Sequence, residues 1–260
     1  MVKAKAFLLD MDGVLYHGDN VLPGARDFVK RIQAYPHCFV TNNPMRTPAA
    51  IAQRLQQLGF PNVDASSIIT SAMATRLWLQ QQASPCCYYA VGGEALQHEL
   101  EKIGSQDAEQ ADFVVVGEGY GLDFDSLTTG INLILNGAQL VGTNPDACVN
   151  YVHKGKPMVL PGGGALLAPF AVATGVTPVI IGKPEPLLFQ LALQQLQMQA
   201  QDCVMIGDRP DTDIHGAAQL GIQTALVRTG QFAAGERYPE ALLTPTWDVL
   251  DLASLAEQIF

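Results

Sequence analysis

The stretch from Phe7 to Gly13 narrows the choice of fold more than any other. Phe7-Leu8-Leu9 is an apolar run that closes on Asp10-Met11-Asp12-Gly13, and a short apolar run bounded by a turn signal reads as a buried strand. Alternation along an extended backbone sends Asp10 and Asp12 the same way. Gly13 then lets the chain break sharply out of the sheet. Two carboxylates that close together repel unless a cation lies between them or one of them holds a proton. A strand closed by an ordinary Asp-Gly turn would use the same residues, so the rest of the chain has to decide.

The rest repeats the layout. Val14 to Pro23 is rich in Gly, His, Asp and Asn and reads as a loop or short flap. A helix follows to about Gln33, with Phe28, Val29 and Ile32 as its inner face. Cys38-Phe39-Val40 is a second strand, ending in Thr41-Asn42-Asn43-Pro44, and helices are expected over 47–58 and 71–82. Strand, loop, helix, strand is the pattern of a parallel sheet, and ligands of such sheets bind beyond the carboxyl ends of the strands. The pattern restarts at Cys86, with strands over 86–91, 113–116 and 139–143 and helices over 94–103 and 124–136. Pro161-Gly162-Gly163-Gly164 breaks the chain before an Ala-rich helix over 165–174. Pro178 to Ile181 is then a strand ending in Gly182-Lys183-Pro184, and a helix runs over 186–197. Cys203 to Ile206 is a strand running into Gly207-Asp208-Arg209-Pro210-Asp211-Thr212-Asp213, followed by a helix to Leu220 and a strand over 224–227. The expected fold is α/β: a Rossmann-like parallel-sheet core over 1–82 and 178–260, with an α/β unit inserted over 83–177.

Bulk properties exclude several classes. With 260 residues, 48% of them hydrophobic and 15% charged, the chain is globular. A formal net charge of −10 argues against a nucleic-acid partner, yet leaves room for a small anionic substrate held by a few local cations. Lys3 and Lys5 precede an apolar stretch that soon meets Asp10, which is neither a secretory signal nor a membrane span. The five cysteines (Cys38, Cys86, Cys87, Cys148, Cys203) show no C-x-x-C spacing, so reduced thiols in a cytoplasmic protein are expected and a zinc site is not. His17, His98, His153 and His215 show no metal spacing either, and no P-loop motif is present.

Four strand tips present chemically useful residues: Asp10 with Asp12, Thr41 with Asn42, Lys183, and Asp208 with Asp213. Each has an ordinary reading alone, Thr41 and Asp213 as helix caps, Lys183 as a loop lysine, Gly207-Asp208 as a turn. Together they suit phosphoryl transfer. A carboxylate nucleophile splits one hard step into two, a second carboxyl moves the proton, and a hard cation such as Mg2+ bridges carboxylate and phosphate. A lysine and a hydroxyl hold the remaining phosphoryl oxygens.

The set resembles the haloacid dehalogenase (HAD) superfamily, whose four motifs match in order at Asp10-Met11-Asp12-Gly13, Thr41, Lys183, and Gly207-Asp208 with Asp213. The likeness tightens to the branch of NagD nucleotidases, phosphoglycolate and pyridoxal phosphatases and para-nitrophenyl phosphatases. It does so through Asp12-Gly13-Val14-Leu15-Tyr16, Pro23-Gly24-Ala25, Thr41-Asn42-Asn43, Thr143-Asn144-Pro145-Asp146, Gly182-Lys183-Pro184 and Gly207-Asp208-Arg209 with Asp211-Thr212-Asp213. The resemblance implies Asp10 as nucleophile and Asp12 as general acid and base. It implies Mg2+ held by Asp10, Asp208 and the Asp12 backbone carbonyl, with Asp213 supporting the metal or the lysine. Thr41 and Lys183 would bind phosphoryl oxygens, and Asn42, Asn43 and Arg209 stand as further substrate-binding candidates. The inserted unit would be a C2-type cap, and relatives often form homodimers through it. An acid at position 12 favours phosphate esters over carbon–halogen bonds, with a small phosphorylated metabolite such as a nucleoside monophosphate or a sugar or acid phosphate as substrate. The chain departs from relatives after Asn43, where Pro44-Met45-Arg46 stands, at Pro210, where relatives carry a leucine-like residue, and in the inserted unit at Cys148-Val149-Asn150-Tyr151. A phosphomutase with the same aspartyl-phosphate and a non-catalytic phosphate-binding protein are the alternatives. The Gly162-Gly163-Gly164 run reads as a structural element of the cap rather than a phosphate loop.

Overall fold

The structure is a computed structural model describing residues 4–153 and 156–260, without the side chains of residues 152, 153 and 157. Lys3 and the His153 side chain therefore lie outside the described residues. From the N-terminus come strands β1 (Ala6–Leu9), β2 (Tyr16–His17) and β3 (Asn20–Val21), helix α1 (Ala25–Ile32), β4 (His37–Thr41), α2 (Pro48–Gln57), β5 (Ile68–Thr70) and α3 (Ser71–Gln82). Next are β6 (Cys86–Val91), α4 (Glu94–Leu100), β7 (Gly104–Gln106), β8 (Phe113–Val116), α5 (Phe124–Leu135) and β9 (Gln139–Gly142). Then follow β10 (Cys148–His153), β11 (Lys156–Pro161), α6 (Gly163–Thr174) and β12 (Val179–Ile180). The chain ends with α7 (Pro186–Leu196), β13 (Cys203–Gly207), a π-helical turn (Pro210–Ile214), α8 (His215–Gln219), β14 (Gln223–Val227), β15 (Trp247–Val249) and α9 (Leu252–Ile259).

These elements form two compact units. The first takes the chain up to Thr41, then Pro48–Ile69 and Lys183–Phe260; the second takes Asn42–Thr47 and Thr70–Gly182. The first is built on a six-stranded sheet in the order β15-β14-β13-β1-β4-β5. β1 pairs in parallel with β13 (Leu9↔Ile206) and with β4 (Leu9↔Phe39), so it lies in mid-sheet and both its faces are covered. Phe7 and Leu9 enter the core that α1 and α9 also feed, through Phe28, Val29, Ile32, Leu252 and Leu255. Phe7 meets Phe28, Tyr35 and Phe260 at ring-centroid distances of 6.1, 5.5 and 5.7 Å. Burying a ring of that size contributes roughly 1.5–3 kcal/mol. It fixes the strand whose next residue is Asp10.

The second unit is built on a five-stranded sheet in the order β12-β9-β8-β6-β7, with β10 and β11 as an antiparallel hairpin beside it in sequence. Val114, Val116, Leu140, Leu167 and Phe170 form its core. Two parallel sheets with helices between their strands make the α/β class expected from the sequence.

The boundaries differ from the sequence-based ones at three places, the first being Asn42–Thr47, expected in the core and part of the second unit. Helix α3, expected in the core, belongs to the second unit, where Arg76 Nε donates to Glu99 Oε2 at 2.8 Å and the Trp78 ring meets Phe113 edge-on at 6.1 Å. β12, also expected in the core, pairs in parallel with β9 (Val179↔Val141, Ile180↔Gly142) and is an edge of the second sheet. Lys183 is thus not at the tip of a core strand; it opens the return of the chain to the first unit. Three smaller features also differ. The flap is a short β2–β3 hairpin. The helix expected over 94–103 stops at Leu100, and after a turn β7 follows, where a Cβ on Gly104 would fall 1.7 Å from the Cys86 carbonyl oxygen, so close does the strand run. Gly163 and Gly164 begin α6 instead of preceding it.

A candidate active site at the strand ends of the first unit

Parallel pairing places the first two carboxylates. The Asp10 N–H donates to the Ile206 carbonyl at 2.9 Å, one step beyond the Leu9↔Ile206 pair, and Asp208 follows Gly207 at the end of the adjacent strand. The chain then turns through the π-helical segment Pro210–Ile214, which returns Asp213 toward the same edge. Only glycine fits at position 207, because a Cβ there would lie 2.2 Å from the Cβ of Asp213. Thr41 ends β4 on the other side of β1 and is buried.

Lys183 joins these tips. Its ammonium donates to Asp10 Oδ1 and Asp213 Oδ1, both at 2.7 Å, and to the Val40 carbonyl at 3.1 Å. The residue is 2% exposed. A lysine sunk that far is stable as a cation only when its donors are matched by acceptors and countercharges. Burial alone would lower its pKa, but Asp10 and Asp213 outweigh burial and hold it above the usual lysine range.

The carboxylates are less well balanced. Oxygen atoms of Asp10, Asp208 and Asp213 lie within 4.8 Å of one another. Burial raises the Asp10 carboxyl well above its ordinary value, with Asp213 and Asp208 adding repulsion that Lys183 only partly offsets. Burial, then Asp213, pushes Asp208 up to about 7. Three carboxylates against one ammonium leave a deficit of positive charge, and the donors are hard oxygens. That donor set fits a small hard dication such as Mg2+.

Asp12 differs from Asp10 in being exposed, whereas Asp10 is largely buried. Its backbone bridges to Tyr16, and Gly13, at φ +80°, donates its N–H to the Tyr16 carbonyl at 2.9 Å, closing the turn into the flap. Arg209 is held by its own loop: Nε and Nη2 donate to Asp211 Oδ1 and Oδ2 at 3.1 and 2.7 Å, while its N–H donates to Asp213 Oδ2 at 3.2 Å. Asn42 and Asn43 belong to the second unit. There Asn42 Nδ2 donates to Asp146 Oδ2 at 3.1 Å, its carbonyl accepts from Ser71 Oγ and Asn144 Nδ2, and Asn43 Oδ1 accepts the Met45 N–H at 2.8 Å. The glycine run is likewise engaged internally, Gly163 N–H on Glu118 Oε1 at 3.3 Å and Gly164 N–H on the Asp146 carbonyl at 2.9 Å.

One segment was not singled out from the sequence. After β14 the turn Thr229-Gly230-Gln231 reaches the site: Thr229 Oγ1 donates to the Gly13 carbonyl, and the Gln231 N–H to Asp208 Oδ2, both at 2.6 Å. The signal was present, since β14 is one more parallel strand and this turn is its polar carboxyl tip.

Among the described residues no helix is long and apolar enough to cross a membrane. The family model described as haloacid dehalogenase-like hydrolase matches residues 7–106, and a second HAD-hydrolase-like model matches 180–255. An acid sugar phosphatase of Staphylococcus saprophyticus is 34% identical over 263 aligned positions, covering 100% of this chain and 99% of its own. The structure of NagD from E. coli K-12 superposes with a TM-score of 0.85 at 32% identity, covering 96% of this chain and 98% of that one. A glycerol phosphate phosphatase from Mycobacterium tuberculosis, solved in complex with magnesium, gives 0.86 at 31% identity over 97% of this chain and 76% of that one. The chain belongs to the haloacid dehalogenase-like hydrolases and is a phosphatase of their NagD-like branch.

Proposed function

We propose that this phosphatase hydrolyses small phosphate monoesters through a phospho-aspartate at Asp10, with Mg2+ as cofactor. The observation that carries the reading is the Lys183 clamp. It brings Asp10 and Asp213 onto one buried ammonium with Asp208 alongside, leaving a site rich in hard oxygen donors and short of positive charge. Asp10, Asp208 and the Asp12 backbone carbonyl would hold Mg2+, with Asp213 supporting the metal and the lysine. A bound Mg2+ supplies charge that keeps the carboxylates ionised and offsets charge building on the phosphoryl oxygens.

The residues divide the work. An Asp10 oxygen attacks phosphorus, the bond from phosphorus to the ester oxygen breaks, and the departing alkoxide takes its proton from Asp12. The Asp12 carboxylate then takes a proton from water; the resulting hydroxide attacks phosphorus, the bond to Asp10 breaks, and inorganic phosphate leaves. Exposure of Asp12 and burial of Asp10 support that division, because the acid must exchange protons with water and the nucleophile must be shielded from it. Thr41 and Lys183 would hold phosphoryl oxygens. Arg209, Asn42 and Asn43 stay substrate-binding candidates of lower rank, since their side chains already serve internal partners. The names of the relatives, acid sugar phosphatase and glycerol phosphate phosphatase, support sugar and polyol phosphates ahead of nucleoside monophosphates. Five free cysteines support a reducing, cytoplasmic setting.

The test is phosphate release across a panel of sugar phosphates, glycerol phosphate and nucleoside monophosphates, with Mg2+ and with EDTA. Asp10→Asn serves as control. Metal-dependent release lost in the variant is the expected result. Folded protein that releases no phosphate from any ester, or that works equally well in EDTA, would overturn it.

A further inference from the structure

The turn Thr229-Gly230-Gln231 lies outside the four signature motifs yet touches two of them, through Gly13 and Asp208. Between its two hydrogen bonds the backbone of Gly230 comes so near that a Cβ would fall 1.9 Å from Asp208 Oδ2. A Cβ on Gly13 would fall 2.4 Å from the same oxygen. The Asp208 carboxylate is therefore wedged between two glycines and capped by the Gln231 N–H. The turn is stiffened from behind by Arg228, which donates to Asp248 Oδ1 and Oδ2 at 2.7 and 2.6 Å and to the Glu236 carbonyl at 2.7 Å. Its guanidinium also stacks 4.5 Å from the centre of the Phe232 ring.

Asp208 has an oxygen within 4.8 Å of one on Asp213, and carboxylates that close repel. Something must hold it, and the wedge does. We propose that Thr229-Gly230-Gln231 is a positioning element that fixes the Asp208 carboxylate in the orientation a divalent cation requires, and through Thr229 locks Gly13 against it. The proposal rests on the reading of this site as a Mg2+ centre. Ligands held in place beforehand lose less freedom when the ion binds, which is why partners behind the ligands govern metal affinity.

The measurement is Mg2+ affinity by isothermal titration calorimetry on the whole protein, with metal-free thermal melts alongside. Gly230 does not have a left-handed backbone, and the three atoms nearest a Cβ there all belong to Asp208, so Gly230→Ala acts on Asp208 directly. It is expected to weaken Mg2+ binding roughly 10–100-fold. Thr229→Val is expected to weaken it several-fold, and Thr229→Ser, which keeps the hydroxyl, to bind as the wild type does. Folded Gly230→Ala and Thr229→Val proteins with wild-type affinity would overturn the proposal. Should Gly230→Ala fail to fold, the Thr229 pair decides, because loss in Val with rescue in Ser is not what a merely destabilised turn would give. A wild-type protein that binds no Mg2+ would overturn the metal reading itself, an outcome distinct from variants that bind normally.

Discussion

Lys183 is the residue on which the site's stability turns. Removing one partner from a buried ionic cluster leaves uncompensated charge and costs about 3–5 kcal/mol, so Lys183→Met should lower unfolding free energy by that order in chemical denaturation. The loss should shrink as pH falls, because Asp10 can then take up a proton in place of its lost cation. A loss that does not vary with pH would argue against mutual repulsion as its source. Asp208 gives a second pH signature. Its folded pKa is raised to about 7 from an ordinary carboxylate value, so the folded state binds that proton more tightly. The stability this lends is complete below the unfolded pKa and is lost as pH rises through the folded one. The metal-free melting temperature should fall from about pH 5 to about pH 8, and added Mg2+ should raise it more at the upper end. Asp10→Asn relieves the same repulsion, so it should abolish turnover while leaving the metal-free melting temperature equal or higher. The meeting of Asp10, Lys183, Asp208 and Asp213 was legible in the sequence because carboxylates and a lysine that follow apolar runs stand out against a buried sheet. Thr229 and Gly230 were not, since a hydroxyl and a missing Cβ take their meaning only from what packs against them.

At the scale of elements, the flap shows how little sequence pattern a short strand leaves. β2 and β3 are two residues each, and no periodicity can be read from two positions. What holds the hairpin comes from elsewhere. Arg54 on α2 donates to the Gly18 carbonyl at 2.6 Å, lies 3.2 Å from Asp19 Oδ1, and stacks 5.3 Å from the centre of the Tyr16 ring. Asp19 is exposed, and such a pair contributes about 0–1 kcal/mol; the charged hydrogen bond to Gly18 contributes roughly 1.5–3. Arg54→Ala should therefore speed amide exchange across Tyr16–Val21 while leaving β1 protected, and Asp19→Ala should change little. Equal exchange in both variants would mean the flap does not depend on Arg54. Most of the long helices and buried strands were read correctly because burial imposes a period on them, but β5, β15 and α9 were not singled out. β12 was misassigned because an apolar run says that a strand is buried and not in which sheet.

At the scale of the whole molecule, the hairpin β10–β11 carries the most exposed apolar strand surface among the described residues. Tyr151 opposes Met158 and Val149 opposes Leu160, so the four share one face, on which Tyr151, Met158 and Leu160 are 46, 47 and 41% exposed. We propose this face as the contact of the homodimer that the family resemblance implies, since exposed apolar patches on a strand pair mark interaction surfaces. Sedimentation should show a dimer for the wild type and a monomer for the pair Tyr151→Asp and Met158→Glu; a monomeric wild type would end the idea. The α/β class and the presence of a second unit were legible from the restart of the strand–helix pattern at Cys86. The boundaries were not, because the second unit is assembled from two stretches of sequence, and a small hexapeptide beginning at Asn42 leaves no compositional trace. The chain passes between the units after Thr41, Thr47, Ile69 and Gly182. A unit joined at four places cannot be cut out or grafted as one cassette. Exchange of the span 83–177 between relatives would separate Asn42 from Asp146 and Arg76 from Glu99. A chimera that keeps both must carry Asn42–Thr47 and the helix from Ser71 along with it, so recombination at a single pair of breakpoints would yield mismatched hybrids here, and new specificities would more readily arise by point changes within the unit than by its wholesale replacement.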